Sequence, residues 1–214
     1  VCSVMYKSPK GLFHVNIADT PGHADFGGEV ERIMSMVDGC ALIVDATEGP
    51  MTQTKFVLKK ALNRGLRPIV VFNKVDRESA RLGEVENEVL DLFDELGAND
   101  DQLDFPMVYA SGRDGWATLD PKVRGTDLKP LFQLIVDHVP PPPGDVNAPF
   151  KMLVTQIYND HYLGKCLLGR IHSGRISSGD LFRVLDSKGN VAEECRILKL
   201  MTQVGLDKVA VDSA

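Results

Sequence analysis

The sequence has no long apolar run, and this absence bears on membrane association. No stretch of its 214 residues approaches the roughly 18 consecutive apolar residues that a membrane-spanning helix needs. Val1-Cys2-Ser3-Val4 also lacks the basic segment and apolar core of a signal peptide. We therefore expect no membrane partner. Because the first residue is valine rather than methionine, we expect a trimmed chain or a piece of a longer one.

Cysteine is scarce and shows no metal-binding spacing. No two of the four cysteines form a C-x-x-C pair, so we expect no zinc site. Scattered cysteines are typical of a reducing compartment. Cys40 lies in an apolar run that resembles a strand, where we expect a buried free thiol.

The chain has no basic excess. Its 24 Lys and Arg are outnumbered by 30 Asp and Glu, which gives a net charge of −6. Because DNA-binding proteins usually carry a basic surface, we expect no DNA partner. RNA contact through a local basic patch or another domain stays open. The 43% hydrophobic and 25% charged shares are ordinary for a globular protein and exclude a disordered chain.

A proline-rich stretch divides the chain. Four consecutive prolines, Pro140 to Pro143, form a semi-rigid connector rather than a helix or a sheet interior. We therefore predict a first domain over residues 1–139, a linker over 140–149 and a second domain over 150–214.

Before the linker, short apolar strands alternate with amphipathic helices. The predicted strands are residues 13–18, 41–46, 68–72 and 107–110. Apolar residues at helical spacing predict helices over 26–37, 56–62, 85–96 and 128–139. We expect Gly65 and Gly97 to end two of them and Asp127 to cap the last. This alternation predicts an α/β fold with a mostly parallel sheet covered on both faces.

After the linker, the pattern changes to strands separated by glycine-rich turns. The predicted strands are residues 151–158, 167–172, 181–185 and 191–200. Several short strands at this spacing indicate a small β-barrel. No closing strand is obvious before the last residue, so we expect the barrel to be incomplete.

Polar clusters follow three predicted strands, and ligands in open parallel sheets bind at the carboxyl ends of strands. We expect the clusters on one rim of the sheet. They are Asp19-Thr20-Pro21-Gly22-His23, Asn73-Lys74-Val75-Asp76 and Ser111-Gly112.

The residue types of the first cluster could bind an anion together with a metal ion. Asp19 ends an apolar strand, where a hydrated Mg²⁺ would satisfy its carboxylate. Gly22 lets a backbone N–H approach an anion closely, and His23 beside it could hydrogen-bond a water. Gly27 and Gly28 are poor helix formers, so we expect a mobile helix start of the kind that switches on phosphate binding.

The second and third clusters suit guanine. The carboxylate of Asp76 matches the N1–H and N2–H donors of guanine, an arrangement that adenine lacks, so an ATP-using enzyme is disfavoured. Asn73 can tie its loop to neighbouring backbone, and the stem of Lys74 can cover the base. The backbone N–H of Ser111 or Gly112 could bond the guanine carbonyl.

Each cluster alone is weak, because short motifs occur by chance and a single histidine is usually a surface group. The prediction rests on their order and on their common place at strand ends. A structure with Asp19, Asp76 and Ser111 on opposite faces would contradict it, and so would an Asp76 buried in an ion pair that a purine could not reach. We interpret the other histidines and the acidic residues of 84–95 as structural or solvated groups.

These motifs resemble those of translational GTPases. The Asp19 to His23 and Asn73 to Asp76 clusters resemble the third and fourth signature motifs of that family, and Ser111 resembles the fifth. The branch that looks most similar is TypA/BipA, through residues 25–32, 45–51 and 102–106.

The resemblance implies GTP hydrolysis to GDP with Mg²⁺, ribosome binding, and a role in ribosome assembly and translation under stress. It implies a bacterial cytoplasmic, chloroplast or mitochondrial location. By position, Asp19 would hold Mg²⁺ through water, Gly22 would contact the γ-phosphate and His23 would orient the attacking water. The guanine base would be bound by Asn73, Lys74, Asp76 and Ser111.

The sequence departs from the family in two ways. Ser111-Gly112-Arg113 stands where Ser-Ala-Leu or Ser-Ala-Lys is usual, which we expect to loosen that loop. No G-x-x-x-x-G-K-[ST] phosphate loop occurs, so we expect a P-loop-type sheet lacking its first strand.

Because the phosphate loop does not occur, we expect weak nucleotide binding and negligible hydrolysis by the chain alone. We also expect self-association through unpaired strand edges. The alternative function is a ribosome- or protein-binding module that does not hydrolyse GTP.

Overall fold

A computed structural model describes residues 2–20 and 27–214. By their contacts these residues fall into two units. One holds residues 2–6, 14–19 and 142–214, and the other holds Lys7–Phe13 and Thr20–Pro141. The last division falls within the run of prolines. The domain boundaries given above stay a prediction.

Helices and strands alternate in the first part of the described chain. In order, the elements are β1 (Cys2–Ser8), β2 (Gly11–Ile17), α1 (Gly27–Met34), β3 (Cys40–Asp45), α2 (Thr52–Asn63), β4 (Pro68–Asn73), α3 (Leu82–Glu95), α4 (Asp100–Leu103), β5 (Met107–Ser111), β6 (Trp116–Thr118) and α5 (Lys129–His138). Strands alone follow: β7 (Lys151–Asp160), β8 (Gly164–Ser173), β9 (Leu181–Leu185), β10 (Val191–Arg196), β11 (Leu200–Val204) and β12 (Asp207–Val211).

The four-stranded sheet has the order β3-β4-β5-β6. β3, β4 and β5 are parallel, whereas β6 runs antiparallel along β5. The register places Asp45 beside Asn73, and Asn73 beside Ala110. Because parallel strands end at the same edge, the loops that follow β3, β4 and β5 leave the sheet side by side.

β4 is buried on both faces, which explains its run of apolar residues without alternation. Val70 and Phe72 pack into a core with the buried faces of α2 and α3. Ile69 and Val71 belong to a second core, against which apolar residues of α5 pack. The predicted α/β sheet with helices on both faces is confirmed for β3 to β6.

Two helices end at the predicted glycines. Gly65 and Gly97 each adopt φ of 73°, a left-handed conformation in which a Cβ atom is disfavoured. After α2, the N–H groups of Gly65 and Leu66 donate to Leu62 and Ala61. This is the hydrogen-bond pattern of a Schellman motif, and the same pattern follows α3.

The predicted cap of α5 is displaced by one residue. Leu128 stands at the cap position and makes no side-chain capping bond. Asp127, one residue earlier, still accepts a hydrogen bond from the N–H of Lys129 through Oδ1 at 2.8 Å. The carboxylate therefore satisfies an unpaired donor at the helix start from outside the helix.

The strand before Asp19 does not join the four-stranded sheet. It exists as β2, but β1 and β2 form a two-stranded sheet of their own, and no ladder of the described residues links them to β3. The expectation of one rim is therefore confirmed for the clusters after β4 and β5 and stays a prediction for the cluster after β2.

The strands after the linker pair as three antiparallel hairpins, β7–β8, β9–β10 and β11–β12. Nothing in these ladders closes a barrel, which stays a prediction. The strand predicted over 191–200 is wrong as a single strand, because Ile197 leaves the ladder and bonds to Gly179 and Asp180. Apart from Leu200, neither β11 nor β12 was predicted.

The start of the chain contacts the last hairpin within its unit. The N–H of Ser3 donates to the carbonyl of Gly205 at 3.0 Å, and its hydroxyl donates to Gln203 at 3.0 Å. Ser3 is buried, so these bonds satisfy a polar group away from water. They explain why part of β1 groups with the strands at the end of the chain.

Across residues 2–20 and 27–214, no helix combines the length and apolar character that crossing a membrane requires.

The core between α3 and the sheet supports a stability prediction. Phe93 is fully buried, and its ring lies 4.3 Å from that of Phe105. We expect Phe93→Ala to lower the free energy of unfolding by about 3–5 kcal/mol, because it removes buried area and leaves a cavity. Leu90→Ala, on the exposed side of the same helix, should cost about 1 kcal/mol or less.

Urea unfolding followed by the fluorescence of Trp116 measures both variants, since it is the single tryptophan and lies buried in β6. Equal losses of stability in Phe93→Ala and Leu90→Ala would contradict the core as described.

Candidate functional site

The candidate site is built where the parallel strands end. Asp45 is the last residue of β3, Asn73 the last of β4 and Ser111 the last of β5. Their backbones are held in register by the sheet, so the polar groups that follow are fixed relative to one another. The loop after β5 is short, because β6 begins at Trp116.

The side chain of Asn73 joins two of these loops. Its Oδ1 accepts a hydrogen bond from the N–H of Lys74 at 2.8 Å and another from the N–H of Gly112 at 2.9 Å. The backbone of Val75 also donates to Ala110, at 3.3 Å. The segment after β4 is thereby fastened to the segment after β5.

Lys74 has an unusual backbone and a fixed ammonium group. Its φ of 65° is the only positive value among the described residues other than glycine. Such conformations are uncommon for side-chain-bearing residues and cluster at functional sites. Its Nζ donates to Oδ2 of Asp45, so the aliphatic stem is held between the turn and the end of β3.

Asp45 stays ionised in this arrangement. Partial burial raises the pKa of its carboxyl, but the hydrogen bonds from Lys74 and from the N–H of Thr47 outweigh burial and leave the pKa below its usual value. The bond from Thr47 measures 2.8 Å. The carboxylate of Asp45 therefore holds the ammonium group of Lys74.

Asp76 faces a small cavity with a cation at its mouth. As a residue Asp76 is exposed, but its side chain is only 15% exposed, and Oδ2 accepts a hydrogen bond from Nη2 of Arg113 at 3.0 Å. The Arg113 side chain is 79% exposed. The cavity measures about 150 Å³ and is lined by Asn73, Lys74, Asp76, Arg77, Gly112 and Arg113.

The residues after β5 are already hydrogen-bonded within the protein. Ser111 is fully buried, and its carbonyl accepts from the N–H of Gly115 at 2.8 Å. Its hydroxyl accepts from the N–H of Asp114 at 3.3 Å. Since the N–H of Gly112 donates to Asn73, a bond from it to a ligand would have to be shared. The ligand contacts of Ser111 and Gly112 stay predictions.

The first cluster is only partly described. Gly22 and His23 lie outside the described residues. Asp19 follows β2, whose residues are mostly exposed, and is itself exposed, so the argument from an apolar strand end does not hold for it. Its role toward Mg²⁺ stays a prediction. Elsewhere in the described ranges, no group of three His, Cys, Asp or Glu side chains could hold a metal.

A larger groove shares no lining residue with the cavity that Asp76 faces. It measures about 430 Å³, and its lining includes Met51, Lys55, Glu88 and Glu95. Lys55 pairs with Glu95, and Glu88 pairs with Arg81, so these charges satisfy one another at an exposed surface. None of the predicted site residues lines it, and we assign it no ligand.

Three residues of the site, Asp45, Arg77 and Arg113, were not predicted. Asp45 ends an apolar strand next to β4, so the strand-end argument applied to Asn73 could have found it. Arg113 was noted only as a departure from a family motif. Its pairing with Asp76 joins positions 37 residues apart and needs the fold to be seen.

The thiol of Cys40 takes no part in this site. It is partly buried at the start of β3, and burial raises its pKa to about 11. A thiol with a raised pKa is a poor nucleophile at neutral pH, as expected for a structural cysteine.

Comparison with known proteins gives a family match. Residues 3–141 match the family described as the elongation factor Tu GTP binding domain. The match covers β2 to β6, all of β1 except Cys2, and all the predicted site residues.

Curated relatives share the name "Large ribosomal subunit assembly factor BipA". That of Synechocystis is 50% identical over 200 residues, which is 94% of this chain and 33% of the relative. Those of Escherichia coli K12 and Haemophilus influenzae are 49% and 48% identical over 202 residues, again 94% and 33%. The chain spans about a third of the length of these relatives, and the resemblance to BipA proteins is confirmed.

The Asp45–Lys74 pair predicts a pH dependence. Because folding lowers the pKa of Asp45, its ionised form stabilises the fold above about pH 4 and the contribution is lost as the pH falls below that. Asp45→Asn should therefore be less stable than the wild type at pH 7, and the difference should shrink at pH 3. Urea unfolding at a series of pH values, followed by Trp116 fluorescence, measures this.

Asp94→Asn serves as the control, because it removes an exposed carboxylate of α3. It should keep the pH dependence of the wild type. A stability difference for Asp45→Asn that is constant from pH 7 to pH 3 would show that the ion pair is not its cause.

Proposed function

The chain belongs to the elongation factor Tu GTP-binding domain family, whose fold is that of the P-loop GTPases, and on this basis we propose that its complete gene product binds guanine nucleotides and hydrolyses GTP to GDP in association with the ribosome. The observation that carries the proposal is the geometry at the ends of β4 and β5. There, the partly buried carboxylate of Asp76, the lysine held by Asp45 and the loop bonded to Asn73 border one cavity.

Guanine recognition is assigned to the second and third clusters. Asp76 would accept hydrogen bonds from N1–H and N2–H of the base, and Lys74, held by Asp45, would present its stem to the ring face. Asn73 keeps the two loops together. Adenine offers neither donor arrangement, so it would leave a desolvated carboxylate unpaired, which is costly.

Phosphate chemistry is assigned to the first cluster. We propose that Asp19 holds Mg²⁺ through water, that Gly22 contacts the γ-phosphate and that His23 orients the attacking water. Mg²⁺ would supply neutralisation of charge on the phosphate oxygens. Catalysis of this kind depends mostly on positioning and electrostatics, and we expect the ribosome to complete the arrangement around His23.

The partner is inferred from the relatives. Because they are named as assembly factors of the large ribosomal subunit, we propose ribosomal RNA and protein as partners of the complete gene product. The setting would be a bacterial cytoplasm, a chloroplast or a mitochondrion, with a role in translation under stress. The partners, the setting and the role are all extended from the family to this chain.

For the 214-residue chain alone we propose weak nucleotide binding and negligible hydrolysis. Its sequence contains no G-x-x-x-x-G-K-[ST] phosphate loop. β3 is the outer strand of its sheet among the described residues, and Ile43 on it is 55% exposed. An edge of this kind can pair with another chain, which supports self-association. A binding module that does not hydrolyse GTP is the second candidate function.

Asp76→Asn tests the base assignment. An amide presents a donor where guanine needs an acceptor, so we expect GDP affinity of the complete gene product to fall at least about 100-fold and xanthosine diphosphate to become the preferred ligand. Calorimetric titration with both nucleotides measures the change. Asp127→Asn, at the start of α5, is the matched control and should bind GDP as the wild type does. Unchanged base preference in Asp76→Asn would refute the assignment.

His23→Ala tests the hydrolysis assignment. We expect ribosome-stimulated GTP turnover by the complete gene product to fall about 100-fold or more, with GDP affinity little changed, because water positioning is lost while base contacts remain. His14→Ala removes an exposed histidine of β2 and should retain activity. Turnover at the wild-type rate in His23→Ala would rule out its catalytic role. Turnover absent from the wild type itself would favour the module that does not hydrolyse GTP.

A further inference from the structure

Arg113 occupies the carboxylate that the proposed function assigns to guanine. Its Nη2 donates to Oδ2 of Asp76 at 3.0 Å, while its Nε donates to Oδ1 of Asp114, also at 3.0 Å. The Asp76 side chain is 15% exposed and that of Arg113 is 79% exposed. The guanidinium therefore reaches the cavity from the solvent side and closes over an acceptor that points into it.

The chemistry of the two partners is alike. A guanidinium carries N–H donors arranged in a plane around one carbon, which match the oxygens of a carboxylate. The N1–H and N2–H donors of guanine are likewise attached to one carbon, C2. Arg113 thus presents to Asp76 one N–H donor, from Nη2, of the kind that guanine would present as a pair.

One carboxylate cannot serve both partners in the same geometry. Guanine would need both oxygens of Asp76, and Arg113 already uses Oδ2. On entry of the base, Arg113 must give up this bond. Asp114 gives it a second partner, since its bond to Nε does not depend on Asp76.

We propose that Arg113 competes with the guanine base for the carboxylate of Asp76. Arg113 pairs with this carboxylate when no base is bound to it, and gives up the bond when the nucleotide binds. This inference rests on the proposed function of the site. It assigns Arg113 a role in setting affinity and leaves the discrimination between bases to Asp76.

The size of the effect follows from the exposure of Arg113. We call the site closed when Arg113 pairs with Asp76 and open when it does not. Because ion pairs with an exposed partner are weak, the closed form should exceed the open form only a few-fold. Apparent affinity is the intrinsic affinity multiplied by the fraction of open sites. Removing Arg113 should therefore tighten nucleotide binding about two- to fivefold. Because the competitor acts on the empty site, the gain should lie in the association rate and leave the dissociation rate unchanged.

The test compares Arg113→Ala with Arg124→Ala in the complete gene product. Arg124 is also exposed and pairs with Asp114 at 3.3 Å, but makes no bond to Asp76. Both variants remove one positive charge near the site, so any general electrostatic effect on a phosphate-bearing ligand is shared. GDP affinity is measured by calorimetry, and rates by stopped flow with a fluorescent GDP analogue.

We expect Arg113→Ala to bind GDP two- to fivefold more tightly than Arg124→Ala, through faster association. Arg113→Lys keeps the charge without the planar fork and should fall between Arg113→Ala and the wild type. In an Asp76→Asn background, measured with xanthosine diphosphate, the gain from Arg113→Ala should disappear.

If the wild type binds GDP, the proposed function stands and three results would overturn this inference alone. The first is the same GDP affinity in Arg113→Ala and Arg124→Ala, and the second is weaker GDP binding by Arg113→Ala. The third is a gain in affinity from Arg113→Ala that persists in the Asp76→Asn background. A wild-type protein that binds ADP as well as GDP, or neither, would overturn the proposed function and this inference with it.

Discussion

A single amide oxygen holds the candidate site in shape. Oδ1 of Asn73 accepts hydrogen bonds from the backbone of Lys74 and of Gly112, and so fastens the segment after β4 to the segment after β5. These segments carry the other groups that line the cavity, Asp76 and Arg113 among them. Because backbone donors at a sheet end have no strand partner, a side chain that supplies an acceptor there both satisfies them and fixes the loops.

Two carboxylates at this edge of the sheet have different kinds of cationic partner. Asp45 and Asp76 are each 15% exposed in their side chains, and each needs a cation or a set of donors. Asp45 receives Lys74 and the N–H of Thr47, which bind it firmly within the protein. Asp76 receives a guanidinium from a side chain that is 79% exposed. The first carboxylate is thus paired with a lysine and a backbone N–H, and the second with a side chain at the surface.

The division between sheets gives the chain its open edge. β1 and β2 pair with each other, and β3 is the outer strand of the four-stranded sheet in the part of the chain that the structure describes. Ile43 and Cys40 lie on this strand with part of their surface uncovered. The parallel register of β3, β4 and β5 is nevertheless continuous, so the part of the candidate site after β4 and β5 has its supporting strands.

Hydrophobic periodicity was enough to predict β3, β4, β5 and four helices, because each buries a regular face or, in β4, both faces. The clusters at Asn73 and Ser111 followed from the rule that parallel strands end at one edge. Local pattern could not show that β2 pairs outside this sheet, that Ile197 leaves its ladder for the turn at Gly179, or that β6 is a strand of three residues. Nor could it show the bonds from Lys74 to Asp45 and from Arg113 to Asp76. Those depend on residues distant in sequence being brought together by packing, and sequence spacing holds no information on such distances.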